Sequence, residues 1–238
     1  EDMEYWSNKQ RVSIRQTTAF TDGSKLQLEQ ALVANGLDAK IAKQGLIGGT
    51  IGDLGDLDYL AEAALDLGAP ISDYAVYPGG PPGVVLLGTS EQADLYDTFM
   101  AITKLKTKGN KAYVLLKPYH LVHLEVAKTL RQVVRGDKPL LTNGHTPYAT
   151  VCAVAKRDLP AGTVFDEAMG GFDVRGEAIE VEGNEDVAPI TLMDGARLKN
   201  SVQAGQVIRY SDVDIDDSLA LDMYRASVET PFKGEAAA

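Results

Sequence analysis

The sequence changes texture near residue 149. Up to Gly136 strand-like apolar runs alternate with helical ones, whereas from Ala149 to Asp214 short runs such as TVCAVA, TVFD and QVIRY are separated by the turns DLPAG, EGNED and VQAGQ. Alternating strands and helices specify an α/β or α+β unit, and short strands punctuated by Gly, Pro, Asn and Asp specify a compact, mostly β module. The chain is therefore read as α+β: a central mixed α/β domain followed by a small, mostly β domain, with the boundary between Thr142 and Thr150. A length of 238 residues suits two packed cores.

Within the first part, residues 10 to 20 (QRVSIRQTTAF) alternate Val12 and Ile14 with polar neighbours and read as a strand. TDGSKLQLEQALVANG reads as a helix capped by Thr21 or Asp22 and ended by Asn35 and Gly36. KQGLIGGTIGDLG is a glycine-rich loop without GxGxxG or GxxxxGK[ST], so it does not hold a dinucleotide by that mechanism; it remains a candidate mobile loop over a site. Next come the helix LDYLAEAALDLG, the strands ISDYAVYP and GVVLLG, the helix SEQADLYDTFMAITKL behind a Thr89 and Gln92 capping box, and the strand KAYVLLK. Lys104, Lys106, Lys108 and Lys111 read as a solvated turn.

With 23 basic against 34 acidic side chains the chain carries a formal charge of −11, which argues against nucleic acid as a partner. One cysteine, Cys152, cannot form an internal disulfide, and no apolar run approaches the roughly 20 residues that a membrane span needs. The first residues, EDMEYWSNKQ, have no signal-peptide pattern, and their lack of an initiator methionine fits a chain that begins within something larger. The expected setting is the cytoplasm, away from membranes.

Two stretches carry candidate chemistry. In KPYHLVHLE, residues 117 to 125, a helical wheel places His123 among Val126, Ala127, Leu130 and Val134, a packing position. His120 falls in the first helical turn, where backbone N–H groups gather anions. Glu125 projects from the opposite face and the spacing is not HExxH, so no metal site is expected. TDGSK, residues 21 to 25, places an aspartate and an ammonium beside a positive helix end; together they can polarise a carbonyl or phosphate while the lysine transfers a proton. The same Thr21 or Asp22 can equally serve only as a helix cap. Cys152 lies in an apolar strand without a flanking base and reads as a small core residue.

TDGSKLQLEQALVAN, ISDYAVYPGGPPGVVLLG, KPYHLVHLEV, AVAKRDLPAGTVFDEAMGGFDVRG and RLKNSVQAGQVIRYSDV, in that order, resemble the homoserine dehydrogenase-like oxidoreductases that end in a SAF domain, a group that includes deoxyxylulose phosphate reductoisomerase-like enzymes. The resemblance implies residues 1–18 as the last strand of a Rossmann domain otherwise absent from this sequence, 19–145 as the central catalytic and dimerisation domain, 146–215 as a SAF domain of β-clip fold, and 216–238 as a tail. It implies Lys25 as the leading proton-transfer group with Asp22 and His120 as its catalytic companions, and Ser24, Lys117 and Tyr119 as substrate-binding residues in the same pocket. The implied cofactor is NADP or NAD, held mostly by the absent domain, so that binding by this chain alone is weak. The implied activity is NAD(P)-dependent oxidoreduction of a small hydroxy or oxo compound such as a sugar phosphate, by a homodimer or homotetramer. The rival expectation is a noncatalytic module whose SAF domain binds a carbohydrate or a partner.

Overall fold

The computed structural model describes residues 2–89, 106–119, 122–144 and 146–229. In chain order the elements are α1 (Asp2–Gln10), α2 (Ile14–Thr21), α3 (Ser24–Leu37), α4 (Asp58–Leu67), β1 (Gly83–Gly88), β2 (Tyr113–Pro118), α5 (Val122–Arg135), β3 (Ala149–Ala155), β4 (Val174–Glu180), β5 (Arg197–Leu198), β6 (Val213–Asp214) and α6 (Leu219–Glu229). The fold is α+β, with small antiparallel sheets. The chain divides into two compact units, one of Glu1–Leu46 with Asn143–Ala238 and one of Ile47–Thr142. Among the described residues no helix is long and apolar enough to cross a membrane.

In the first unit the strand expected over residues 10 to 20 is replaced by helix α2. Ser13 and Gln16 form a capping box: the Ser13 hydroxyl accepts from Gln16 N and the Gln16 side chain accepts from Ser13 N, each at 3.1 Å. Two alternating apolar positions are too few to outweigh that start signal. The next helix begins later than expected, at Ser24, because Gly23 takes the left-handed φ of 83° that breaks α2 from α3. It also runs through Asn35 and Gly36, which were expected to end it, and stops at a left-handed Asp38. Asn35 is engaged elsewhere: its amide receives Ala149 N at 2.8 Å and donates to Ala149 O at 2.9 Å.

This bond belongs to a larger pattern. Strands β3 and β4 pair antiparallel with Cys152 opposite Glu177, which leaves an outer edge on β4. Helix α3 and the loop behind it close that edge: Gly176 N donates to Ser24 Oγ and Ala178 N to Gln27 Oε1, both at 2.8 Å, while Gln27 Nε2 donates to Gly45 O at 2.7 Å and Gly45 N to Ala178 O at 2.9 Å. An unpaired edge invites pairing with another chain, and buried N–H groups without partners are costly. The edge chemistry explains why residues from before Leu46 share a unit with the β module. Gln27→Ala should therefore cost about 1 to 3 kcal/mol by leaving buried backbone groups unanswered, read as a lower urea midpoint; an unchanged midpoint would remove this role.

The β module has a core around Cys152, Val154, Ile179 and Val187, with Val207 against it. TVFD and QVIRY, expected as strands, contribute single bridges instead: Val164 to Arg197, Val154 to Val207 and Val187 to Arg209. Helix α6 docks on this module through buried Leu221 and Val228, and its Tyr224 hydroxyl meets Thr150 Oγ1 at 2.9 Å.

The second unit packs α4, preceded by a short 3-10 turn, against the β1 and β2 hairpin. Ile51, Leu57 and Leu60 form its centre, with Val85 and Leu87 from the inner hairpin face. ISDYAVYP forms no strand; its Val76 makes an isolated parallel bridge to Thr50. The expected helix over SEQADLYDTFMAITKL lies outside the described residues, as does Lys104. The lysine turn is ion-paired: Lys108 meets Asp53 at 2.8 Å and Asp56 at 2.5 Å, and its ammonium holds the Asp56 carboxyl down at about 2. His123 is exposed, and so are Val126, Ala127, Leu130 and Val134 around it on α5. The expected packing role for His123 is thus corrected: periodicity defines an apolar face but does not supply the surface that covers it.

Candidate functional site

The TDGSK turn joins α2 to α3 in the first unit. Asp22 caps α2 through its N–H to Thr18 O at 2.9 Å, and its Oδ1 accepts Ser24 N at 2.9 Å. Its Oδ2 lies 2.5 Å from Nζ of Lys156, which also donates to Gly171 O at 2.6 Å. The side chains of Lys156 and Asp22 are only 20% and 12% accessible. The two carboxylate oxygens are thus directed differently, Oδ1 to the backbone of α3 and Oδ2 to the Lys156 ammonium.

Lys25 points elsewhere. Its ammonium pairs with Glu29 at 3.0 Å, one helical turn on, and lies 4.2 Å from the centroid of the Phe20 ring. The Asp22 and Lys25 couple expected from their adjacency is therefore corrected: each has its own partner. Lys25 keeps 34% of its side chain accessible at the open start of α3, and a Cβ built on neighbouring Gly23 would meet nothing within 4 Å. Exposed i,i+4 pairs such as that with Glu29 are weak, so a ligand oxygen can displace it. Ser24, expected to bind substrate, is buried at 1% exposure with its hydroxyl on Gly176 N. It serves the fold.

The KPYH turn belongs to the second unit. Lys117, at the end of β2, pairs with Glu125 of α5 at 2.8 Å. Tyr119 is exposed and holds a left-handed φ of 60°, with its N–H on Pro82 O at 2.7 Å. A bulky residue in that region is strained and needs its surroundings to keep it there, a pattern concentrated at functional sites. His120 lies outside the described residues.

The glycine-rich loop is pinned, contrary to the expectation of a mobile cover. Ile47 N and Gly48 N donate to Asp73 Oδ2 and Oδ1 at 2.8 and 2.9 Å, and Ile51 N and Val76 N bond across to Val76 O and Gly49 O. Successive amides of this kind form a cradle for anions, and here an internal carboxylate fills it. Gly48 is fixed besides by its φ of 63° and by the Tyr74 ring, which a Cβ would meet at 2.7 Å.

Cys152 is fully buried, and burial pushes its thiol up to about 12. It should resist a thiol reagent in the native protein and react only on unfolding; fast native labelling would show an open β module. Among the described residues no three His, Cys, Asp or Glu side chains come together as metal ligands.

Lys156 is the participant that local reasoning missed. It sits far along the chain in the run AVAKRDLPAG, and nothing in that run points to Asp22.

Comparison with protein families gives two matches. Residues 1–126 match the catalytic domain of oxidoreductase DRL, and residues 150–214 match the SAF domain. No curated protein is matched by the chain. The catalytic-domain match contains α1 to α4, both strands of the hairpin and both candidate turns, and the SAF match contains Lys156. The catalytic-domain match covers more than half of the sequence and settles the family: the chain belongs to the oxidoreductase DRL family and carries a SAF domain behind its catalytic domain.

Proposed function

We propose that this oxidoreductase chain is the catalytic and SAF portion of a cytoplasmic, homoserine dehydrogenase-like or reductoisomerase-like enzyme acting, with NADP or NAD, on a small hydroxy or oxo compound such as a sugar phosphate. One observation carries the reading: Lys25 is partly accessible at the start of α3, held by the exposed Glu29 and the Phe20 ring, beside the unobstructed Gly23. An ammonium at a positive helix end attracts a carbonyl or phosphate oxygen and can pass a proton to it as charge develops. In the second unit, Lys117 and Tyr119 are proposed as substrate-binding residues and His120 as a catalytic one. The match to an oxidoreductase catalytic domain favours this enzyme over a noncatalytic SAF module.

The described residues do not fit the dinucleotide itself. The successive amides of the glycine-rich loop are taken by the chain's own carboxylates, Ile47 N and Gly48 N by Asp73 and Gly52 N and Asp53 N by Asp56. No step is therefore derived through the nicotinamide. Self-association as a homodimer or homotetramer is part of the proposal, supported by the bare apolar residues Val126, Leu130, Val133 and Val134 of α5. The experiment is a turnover screen on the full-length protein of which this chain is the proposed portion: NADH or NADPH is mixed with it and a panel of phosphorylated and unphosphorylated hydroxy and oxo compounds, and nicotinamide absorbance is followed. Turnover that disappears in Lys25→Ala supports the reading, and turnover indifferent to that change contradicts it.

A further inference from the structure

The pairing of Asp22 with Lys156 links the two matched domains, since Asp22 lies in the catalytic domain and Lys156 in the SAF domain. The link is one of several at the same place. Arg15, at the other end of α2, donates to Met169 O at 2.8 Å and pairs with Asp194 at 2.7 Å, gripping the turn whose Gly171 carbonyl accepts from Lys156. Lys156 is also fixed through its own N–H to Asp173 O at 2.8 Å. It is built in, with little freedom to follow a ligand.

We infer that Lys156 is a positioning residue of the candidate site: by holding the Asp22 carboxylate, the SAF domain keeps the Lys25 ammonium available to a substrate oxygen. The inference rests on the reading of Lys25 given above. Asp22 and Lys25 flank the short break at Gly23 between α2 and α3, and Lys25 has a flexible four-carbon stem. Without Lys156, a mostly buried carboxylate would lack a cation, and Lys25 is held away from it only by the exposed Glu29 and the Phe20 ring. A buried carboxylate competes for an ammonium far better than an exposed one, because less water shields it. Lys25 would then swing to Asp22 and be lost to the substrate. The SAF domain on this account is a fixed part of the catalytic turn rather than a separate ligand module.

The test needs no substrate. The chain is exposed to a trace of acetic anhydride, and acetylation of Lys25 is compared by peptide mass spectrometry with that of exposed Lys43 in the same sample. In Lys156→Met the Lys25 to Lys43 ratio should fall about tenfold, because a charge contact in a less solvated site holds the ammonium from the reagent more firmly than one at the surface. It should return in Asp22→Asn/Lys156→Met and stay at the wild-type value in Lys156→Arg. Asp22→Asn alone, a second route if Lys156→Met does not fold, should leave the ratio unchanged. An unchanged ratio in folded Lys156→Met, or a rise in Asp22→Asn showing that Asp22 already holds Lys25, overturns the inference. A purely structural ion pair would alter melting without moving this ratio. The reading of Lys25 as a reaction group fails separately, by turnover that survives Lys25→Ala.

Discussion

Lys156→Met should lower the free energy of unfolding by about 2 kcal/mol, less than the roughly 3 kcal/mol for stranding a buried charge, because Lys25 swings across and answers Asp22 in part. The magnitude follows from burial: the two side chains keep only 20% and 12% of their accessible surface, and the Lys156 ammonium is the cation that meets Asp22 Oδ2. A surface pair such as Lys25 with Glu29 would be worth at most about 1 kcal/mol. Replacing both charges removes the stranded carboxylate, so Asp22→Asn/Lys156→Met should recover most of the loss, a coupling that a double-mutant cycle isolates. Urea unfolding reads this as a shifted midpoint at constant slope. A loss below about 0.5 kcal/mol in the single variant, the usual range for surface changes, would mean that water reaches the pair freely.

Local signals in the sequence were enough for the elements whose causes are local. Helix α4 closes at Gly68, which takes the left-handed φ of 63° that a helix end favours, and β1 and β2 follow the apolar runs GVVLLG and YVLLK. Cys152 lies in a fully buried strand, as its apolar neighbours required. Local reading failed where two signals competed, as at residues 10 to 20, where the Ser13 and Gln16 box outweighed the alternation of Val12 and Ile14. It failed again where the partner lies far along the chain. Asp22 and Lys25 look like a couple in TDGSK, yet Asp22 turns to Lys156, and Ser24 and Gln27 turn to the β4 edge. The glycine-rich loop looked free because its clasp, Asp73, belongs to a different run. In the TDGSK run the capping turn at Asp22 was legible in the sequence; the ion pair of Asp22 with Lys156 was not.

Lys25→Ala should lower turnover about 100-fold, the scale for losing a positioned proton-transfer group, while leaving the fold intact. The fold should survive because Lys25 reaches only the exposed Glu29 and the Phe20 ring, and alanine favours a helix. The loss should appear mainly in kcat, because a proton passed as charge develops matters most in the transition state. Lys43, exposed in the same unit as Lys25, offers the matched control: Lys43→Ala should change neither melting nor turnover appreciably. The most direct measurement is the initial rate of nicotinamide consumption by wild type and Lys25→Ala, side by side, on the substrate that the screen identifies. The account predicts a fall of about 100-fold in kcat with an unaltered circular dichroism spectrum. Equal rates in the two proteins would contradict it and move the reaction centre away from the TDGSK turn.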